Sequence, residues 1–481
     1  MAEIEEFLSQ GKSMIIAPAG YGKTHSITEC LRLFNGNKRC LILTHTHAGV
    51  ASIKEKMIKE GINPSKYIVD TICSFALEYT NAFVVEKQLI PDAENGLAYF
   101  NFAIEKATKL VQSNPIKAII KSKYDHLVVD EYQDCTQSQH QLIVKISNII
   151  PTHILGDPLQ GIFEFRNSIL VNMESQEEMF GFIQNMQELN IPWRWSNNGS
   201  LNLGSALESI RRLLIIKQPI NLNDYVASIE LLIEPENNYT VSGSTYKQVI
   251  WREINDVSTK SLLLIHPVST SVEPRIKFLQ QFNALRLIES IDDKNFYKFA
   301  KYFDSQVGED LIKRIIEFTH LVFSKTVVDN WFNDNGKLKN KRFESDRLIQ
   351  ASLQIVISRL LSFKSLEDIA CLLKKINILP DNKCYRKDLL NDTIKALSYA
   401  HIEGLSAYEA MTRSRDFVRR QGRRIAGRSI GTTLLTKGLE FDVVIVLNAH
   451  KFESPKHLYV ALTRACKKLI VISQNPILNP Y

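Results

Sequence analysis

The chain has 481 residues, of which 44% are hydrophobic and 23% charged, and its formal net charge is +7. One hydrophobic core rarely grows past about 250–300 residues, so two or more domains are expected. A charge that mild does not by itself show a polyanionic partner, and no apolar run is long enough to span a bilayer.

The first ten residues, MAEIEEFLSQ, are acidic and lack a signal-peptide core, which favours a cytoplasmic location. The seven cysteines are Cys30, Cys40, Cys73, Cys135, Cys371, Cys384 and Cys466. They are odd in number and form no CxxC pair, so they read as reduced thiols rather than a disulfide framework or a zinc site.

In chain order, Ser13–Ala17, Cys40–Thr44, His126–Asp130 and Thr152–Gly156 are short apolar runs that predict buried strands. Helical patterns lie between them, an alternation that predicts a parallel α/β sheet. The texture returns at 261–266, 443–448 and 468–473. Two α/β regions are therefore expected, each interrupted by a helix-rich stretch, at about 78–122 and about 281–410.

Ala17-Pro18-Ala19-Gly20-Tyr21-Gly22-Lys23-Thr24 follows the first predicted strand and opens the first helix. That is the context a phosphate-binding loop requires. Glycines let backbone N–H groups close on phosphate oxygens, and the helix dipole points at the same anion. Lys23 is placed to reach the β- and γ-phosphates of ATP, and the Thr24 hydroxyl to bind Mg2+. The strict pattern begins with Gly, where this chain has Ala17.

Asp130 and Glu131 end another apolar strand, at the sheet edge where ligands of open α/β sheets bind. The chemistry asks for one carboxylate on Mg2+, assigned to Asp130, and one on the attacking water, assigned to Glu131. An acidic turn at a strand end is the plainer alternative. Seven arginines crowd residues 413–428 (Arg413, Arg415, Arg419, Arg420, Arg423, Arg424 and Arg428). They read equally as a solvated helix face or as a phosphate-contacting track.

The run Val128-Val129-Asp130-Glu131-Tyr132-Gln133-Asp134 resembles the second motif of the UvrD/Rep/PcrA group of superfamily 1 DNA helicases. Further segments follow in that group's order. Gly156–Arg166 is similar to its third motif, Trp193–Ser196 to a variant of its fourth, Thr433–Asp442 to its fifth and Leu458–Ala465 to its sixth. The resemblance covers both α/β regions and not the helical stretches.

It implies an α/β fold of two RecA-like P-loop domains with helical insertions. Residues 1–190 would form domain 1A with a reduced insertion 1B at about 78–122. Residues 191–280 and 411–481 would form domain 2A, and 281–410 the insertion 2B. The resemblance also implies that Gln160 senses the γ-phosphate, that Arg194 and Arg464 act as arginine fingers, and that Glu440 contacts the ribose or helps close the cleft. Trp193 falls where an aromatic stacks on the base. The group's upstream adenine-reading glutamine has no match, Gln10 being too close to the loop.

For nucleic acid, Phe163 and Phe165 fall at base-stacking positions, with Arg166 beside them. Thr44, His45 and Thr46 resemble the group's motif Ia. Thr71, with Ser74 and Phe75, resembles a further contact motif, although Cys73 stands where histidine is frequent.

The resemblance therefore implies a translocase on single-stranded DNA, moving 3′→5′ by ATP hydrolysis, with RNA an alternative the residues do not separate. A second reading is a regulatory ATPase, stimulated by DNA, that works beside a partner nuclease. Compact relatives of this kind occur in anti-phage systems such as Gabija. A P-loop kinase would leave the fifth and sixth motifs without a role.

Overall fold

A computed structural model describes residues 2–34, 36–84, 91, 96–163, 169–234, 245–290, 294–421, 425 and 427–481. They group into two compact units. The first comprises 1–250, 257–267 and 436–481, and the second 251–256 and 268–435.

The first unit opens with a parallel sheet. Its strands are β1 (Lys12–Ile16), β2 (Arg39–Thr44), β3 (Tyr67–Thr71), β4 (Tyr124–Val129), β5 (Thr152–Gly156) and β6 (Met186–Glu188), in the order β3-β2-β4-β5-β1-β6. Runs such as Cys40–Thr44 are continuously apolar because both faces of the sheet are covered. β3 escapes the sequence reading: it is an edge strand whose side chains alternate between buried and half-buried, so no apolar run marks it.

The helix Lys23–Leu33 buries Ile27, Cys30 and Leu31 toward the sheet's core, a three-to-four-residue spacing. On the other side of the sheet, Ala103, Ile104, Ala107 and Val111 share a core with Leu41, Leu127 and Ile154. The helix Gly96–Leu110 thus belongs to the packing of the strands.

The remaining strands are β7 (Ile220–Asn221), β8 (Glu230–Ile233), β9 (Leu262–Ile265), β10 (Arg286–Leu287), β11 (Arg428–Gly431), β12 (Phe441–Val446), β13 (Ala465–Ser473) and β14 (Ile477–Leu478). In the first unit, β9, β12, β13 and β8 lie side by side and parallel in that order. β7 and β14 form a short antiparallel pair. In the second unit β10 and β11 pair in parallel. The architecture is α/β, with two parallel sheets flanked by helices.

The rest of the second unit is helical, from Lys294–Ser305 to Ala407–Gln421. Its interior is apolar and rich in rings, with Phe299, Phe303 and Phe318 edge-on or tilted to one another. One buried ion pair fixes a helix start: Glu289 Oε2 accepts from Arg386 Nε at 3.1 Å, and Oε1 accepts from the Asp388 N–H at 2.9 Å.

Within the arginine-rich stretch, Arg415 is 1% exposed; it pairs with Asp392 at 2.9 Å and lies 3.7 Å from the Phe296 ring centroid. Arg428 donates to the carbonyls of Ile254 and Asp256. These two hold the fold, which neither the solvated-face nor the phosphate-track reading of the cluster anticipated. Arg413 is exposed. The side chains of Arg419 and Arg420, and residues Arg423 and Arg424, lie outside the described residues. No described helix is long and apolar enough to cross a membrane.

Candidate functional site

The loop between β1 and the helix Lys23–Leu33 is where the chemistry gathers. Gly20 and Gly22 have φ of 80° and 88°, the left-handed region that glycine occupies without strain. Gly22 is the N-cap of the helix, and no side chain caps it. The first helical N–H groups therefore face the loop as an anion site. Ala17, Pro18 and Ala19 are buried, with the Ala17 N–H bonded to the Gly156 carbonyl at 2.9 Å. Thr24 is half-buried at the start of the helix.

Lys23 Nζ lies 2.6 Å from Glu131 Oε1 and 3.8 Å from Asp130 Oδ1. Burial pulls the lysine's pKa down, but the two carboxylates more than offset it and leave it raised. Burial pushes the Asp130 carboxyl up against the pull of Lys23. Burial acts on Glu131 the same way, yet Lys23 and Lys437 draw it well down. Glu131 also has φ 55°, rare for a residue with a side chain; such strain concentrates at functional sites.

The third motif joins this cluster. Gln133 Oε1 accepts from the Asp157 N–H at 2.9 Å while its amide nitrogen donates to Glu131. Gln160 Nε2 donates to Asp157 Oδ2 at 2.8 Å. Gln160 is therefore two residues removed from the Glu131 carboxylate through a chain of hydrogen bonds.

The fourth and sixth motifs also meet the loop. The Arg194 N–H donates to the Gly20 carbonyl at 2.9 Å. A β-carbon at Gly20 would fall 2.8 Å from Arg194 Cβ, and one at Gly22 would fall 2.9 Å from Trp193 Cδ1. Trp193 is half exposed against the loop, whereas Trp195 is buried and donates its indole N–H to the Ala465 carbonyl at 2.9 Å. Burial and the Glu208 carboxylate push the Tyr21 phenol up to about 12.

Arg194 Nη2 pairs with Glu440 Oε1 at 2.6 Å, and its buried Nε has no hydrogen-bond partner among the described residues. Arg464 is 1% exposed and donates to the Val460 and Leu439 carbonyls at 2.9 and 3.2 Å. Burial and the nearby Arg194 lower its pKa to about 10, while Glu440 and Glu131 act against that shift. Both guanidiniums donate to Thr463, Arg194 to its carbonyl and Arg464 to its hydroxyl, so they lie close enough to repel.

Of the nucleic-acid candidates, Phe163 is half-buried, with Lys437 Nζ 4.6 Å from its ring centroid. Lys437 also pairs with the buried Asp134. Phe165 and Arg166 lie outside the described residues. Thr46 and Thr71 cap helices, accepting from the Gly49 and Ser74 N–H groups at 3.0 Å each. Thr44 is buried. His45 meets Cys135 Sγ at 3.4 Å, and burial lowers its pKa to about 4.

Sequence reasoning missed Lys437, Arg211 and Tyr459. Arg211 Nη1 donates to Asp157 Oδ1 at 2.6 Å, and the Tyr459 hydroxyl accepts from the Ala19 N–H at 3.2 Å. Lys437 and Tyr459 stand inside recognisable motifs, so their segments were visible and their partners were not.

A phosphate loop, a carboxylate pair beside its lysine and arginines from a second sheet region mark a P-loop nucleotide site. In keeping with that, residues 2–166 match the model of a family described as an AAA domain. The chain resembles superfamily 1 helicases of the UvrD/Rep/PcrA group in a compact form. Over 154 residues it is 25% identical to an ATP-dependent helicase/nuclease protein of Lactococcus lactis, covering 31% of this chain and 12% of that protein. Over 394 residues it is 21% identical to the Gabija protein GajB of Bacillus cereus, covering 79% of this chain and 70% of GajB. The match to the helicase/nuclease proteins thus spans only a small part of their length. A solved complex of an arterivirus nonstructural protein 10 helicase with DNA covers 98% of this chain and 62% of its own, at 9% identity and a TM-score of 0.35.

Proposed function

We propose that the chain is a nucleic-acid-stimulated ATPase that translocates 3′→5′ on single-stranded DNA, with two RecA-like domains at 1–190 and at 191–280 with 411–481. The observation that carries this reading is the ion pairing of Lys23 with Glu131 and Asp130 beside Gln160, Arg194 and Arg464. The residues present fit magnesium–ATP. An uncapped helix N-terminus faces a loop of left-handed glycines, and a half-buried lysine is held by carboxylates.

Bound magnesium–ATP supplies the scissile phosphoanhydride bond and the charge that the site is built to meet. The N–H groups after Gly22, with Lys23, hold the phosphates, and Thr24 and Asp130 serve the metal. Glu131, kept ionised by Lys23 and Lys437, takes a proton from the attacking water. Arg194 and Arg464 meet the charge growing on the transferring phosphoryl group, an effect worth about 10³–10⁵ in rate where arginine fingers are measured. Trp193 stacks on the base, and Glu440 orients Arg194 or the ribose. Phe163 grips the strand by stacking, a contribution of about 1–3 kcal/mol per base.

The test is ATP hydrolysis by the full chain with and without single-stranded DNA. Stimulation in the wild type and its loss in Lys23→Ala support the reading; hydrolysis unchanged in Lys23→Ala sinks it. The likeness to GajB and to helicase/nuclease proteins favours a second reading, a regulatory ATPase working beside a partner nuclease. ATP-dependent displacement of streptavidin from a biotinylated strand separates the two: a translocase displaces it, and a switch only binds and hydrolyses.

A further inference from the structure

We propose that Arg211 is a positioning residue that aims the Gln160 amide for ATP hydrolysis by clamping the Asp157 carboxylate between them, a role that rests on the ATPase reading above. Arg211 lies on the helix Leu201–Ile215, outside every motif segment named from the sequence. It is 5% exposed, and Asp157 is fully buried.

The carboxylate is divided between two partners. Oδ1 takes the Arg211 Nη1 donor at 2.6 Å and the Leu159 N–H at 3.2 Å, while Oδ2 takes Gln160 Nε2 at 2.8 Å. An ionised carboxylate only accepts, so the nitrogen of the Gln160 amide must face it. Among the described residues no donor is bonded to the Gln160 carbonyl oxygen, which can accept from a water O–H. A freely rotating amide would lose this orientation, and the buried guanidinium is what fixes the carboxylate in place.

Arg211 has a second contact. Its guanidinium lies 5.5 Å from the Tyr459 ring centroid, and the Tyr459 hydroxyl accepts from the Ala19 N–H of the phosphate loop at 3.2 Å. One planar cation therefore touches both the carboxylate that holds Gln160 and the ring that holds the loop. Arginine suits this place because it can offer a hydrogen-bond fork and a flat face at once, which lysine cannot. The plainer alternative is an ion pair that only holds the fold together.

The two separate by experiment on the full chain. ATPase rate with saturating single-stranded DNA, affinity for a fluorescent ATP analogue and melting temperature are measured for wild type, Arg211→Met, Arg211→Lys, Gln160→Ala and the Arg211→Met/Gln160→Ala pair. A positioning role lowers kcat about 10- to 100-fold in Arg211→Met. It leaves analogue affinity within about threefold. Arg211→Lys recovers part of the rate, and adding Arg211→Met to Gln160→Ala costs little more.

The proposal is overturned if Arg211→Met keeps its kcat, if its effect multiplies with that of Gln160→Ala, or if rate, affinity and melting temperature fall together. Should Arg211→Met not fold, the same cycle is run with Arg211→Lys, and the same criterion of additivity decides. Lys23→Ala runs beside these variants. An inactive Lys23→Ala with a fully active Arg211→Met removes only the role of Arg211, whereas an active Lys23→Ala removes the ATPase reading itself.

Discussion

In the helical unit, the interior around Phe299, Phe318 and Leu373 is hydrocarbon and rings, and buried charges such as Glu289 with Arg386 and Arg415 with Asp392 sit in pairs that hold the fold. In the α/β unit, by contrast, Lys23, Asp130, Asp134, Asp157, Arg211, Lys437 and Arg464 are all largely removed from water. Replacing such pairs with apolar side chains of like volume is often neutral or stabilising. Charge concentrated in this way is therefore better explained by what the region does to a ligand than by stability.

That contrast can be sharpened by substitutions on each side. Glu131→Gln keeps the shape of the site and removes its base. Steady-state ATPase should fall about 10²–10⁴-fold, with a melting temperature close to wild type; a near-normal rate would break the comparison at its polar end. In the helical unit, Glu289→Ala takes away the carboxylate that pairs with buried Arg386 and accepts from two N–H groups at the start of Lys387–Glu403. Denaturant unfolding should show about 3–5 kcal/mol lost.

Leu373→Ala hollows the helical core, where Leu373 is fully buried. The expected loss is about 2–5 kcal/mol by the same measurement. The ATPase rate per folded molecule should stay at the wild-type value; a large drop would show that the helical unit does more than fold.

The smallest effect concerns protons. His153 Nε2 is 2.8 Å from His126 Nδ1 and its Nδ1 is 2.7 Å from Ser13 Oγ. Burial, with His126 beside it, lowers the pKa of His153 to about 3. Below about pH 6.5 the unfolded chain takes up a proton that the folded one refuses, so stability falls as the solution is acidified. The slope from this group is at most about 1.4 kcal/mol per pH unit. His153→Asn should flatten the decline between pH 7 and pH 5; an unchanged slope would assign the decline to other groups.

Much of the fold was legible because apolar runs such as Leu127–Val129 and Thr152–Gly156 are strands buried on both faces. β3 was not, because an edge strand with half-buried positions carries no such run. The loop and the Asp130–Glu131 pair stood out by their places after apolar strands, and the other motif segments by their likeness to the UvrD/Rep/PcrA group. Arg211 and Tyr459 were not recognised as participants, since Asp157 and Arg211 are 54 positions apart and Ala19 and Tyr459 are 440 apart. No local pattern encodes such a meeting. The arginine-rich stretch shows the reverse error, in which composition suggested one shared role and Arg415 and Arg428 turned out to serve separate contacts.

The bond from the Arg194 amide to the Gly20 carbonyl has a consequence for how this loop can evolve. It is made by main chain on both sides, so it persists through every side-chain replacement at position 194 except proline, which brings no hydrogen. A substitution that silences the guanidinium would leave the tether intact. Residue 194 can lose its charge and still follow the loop.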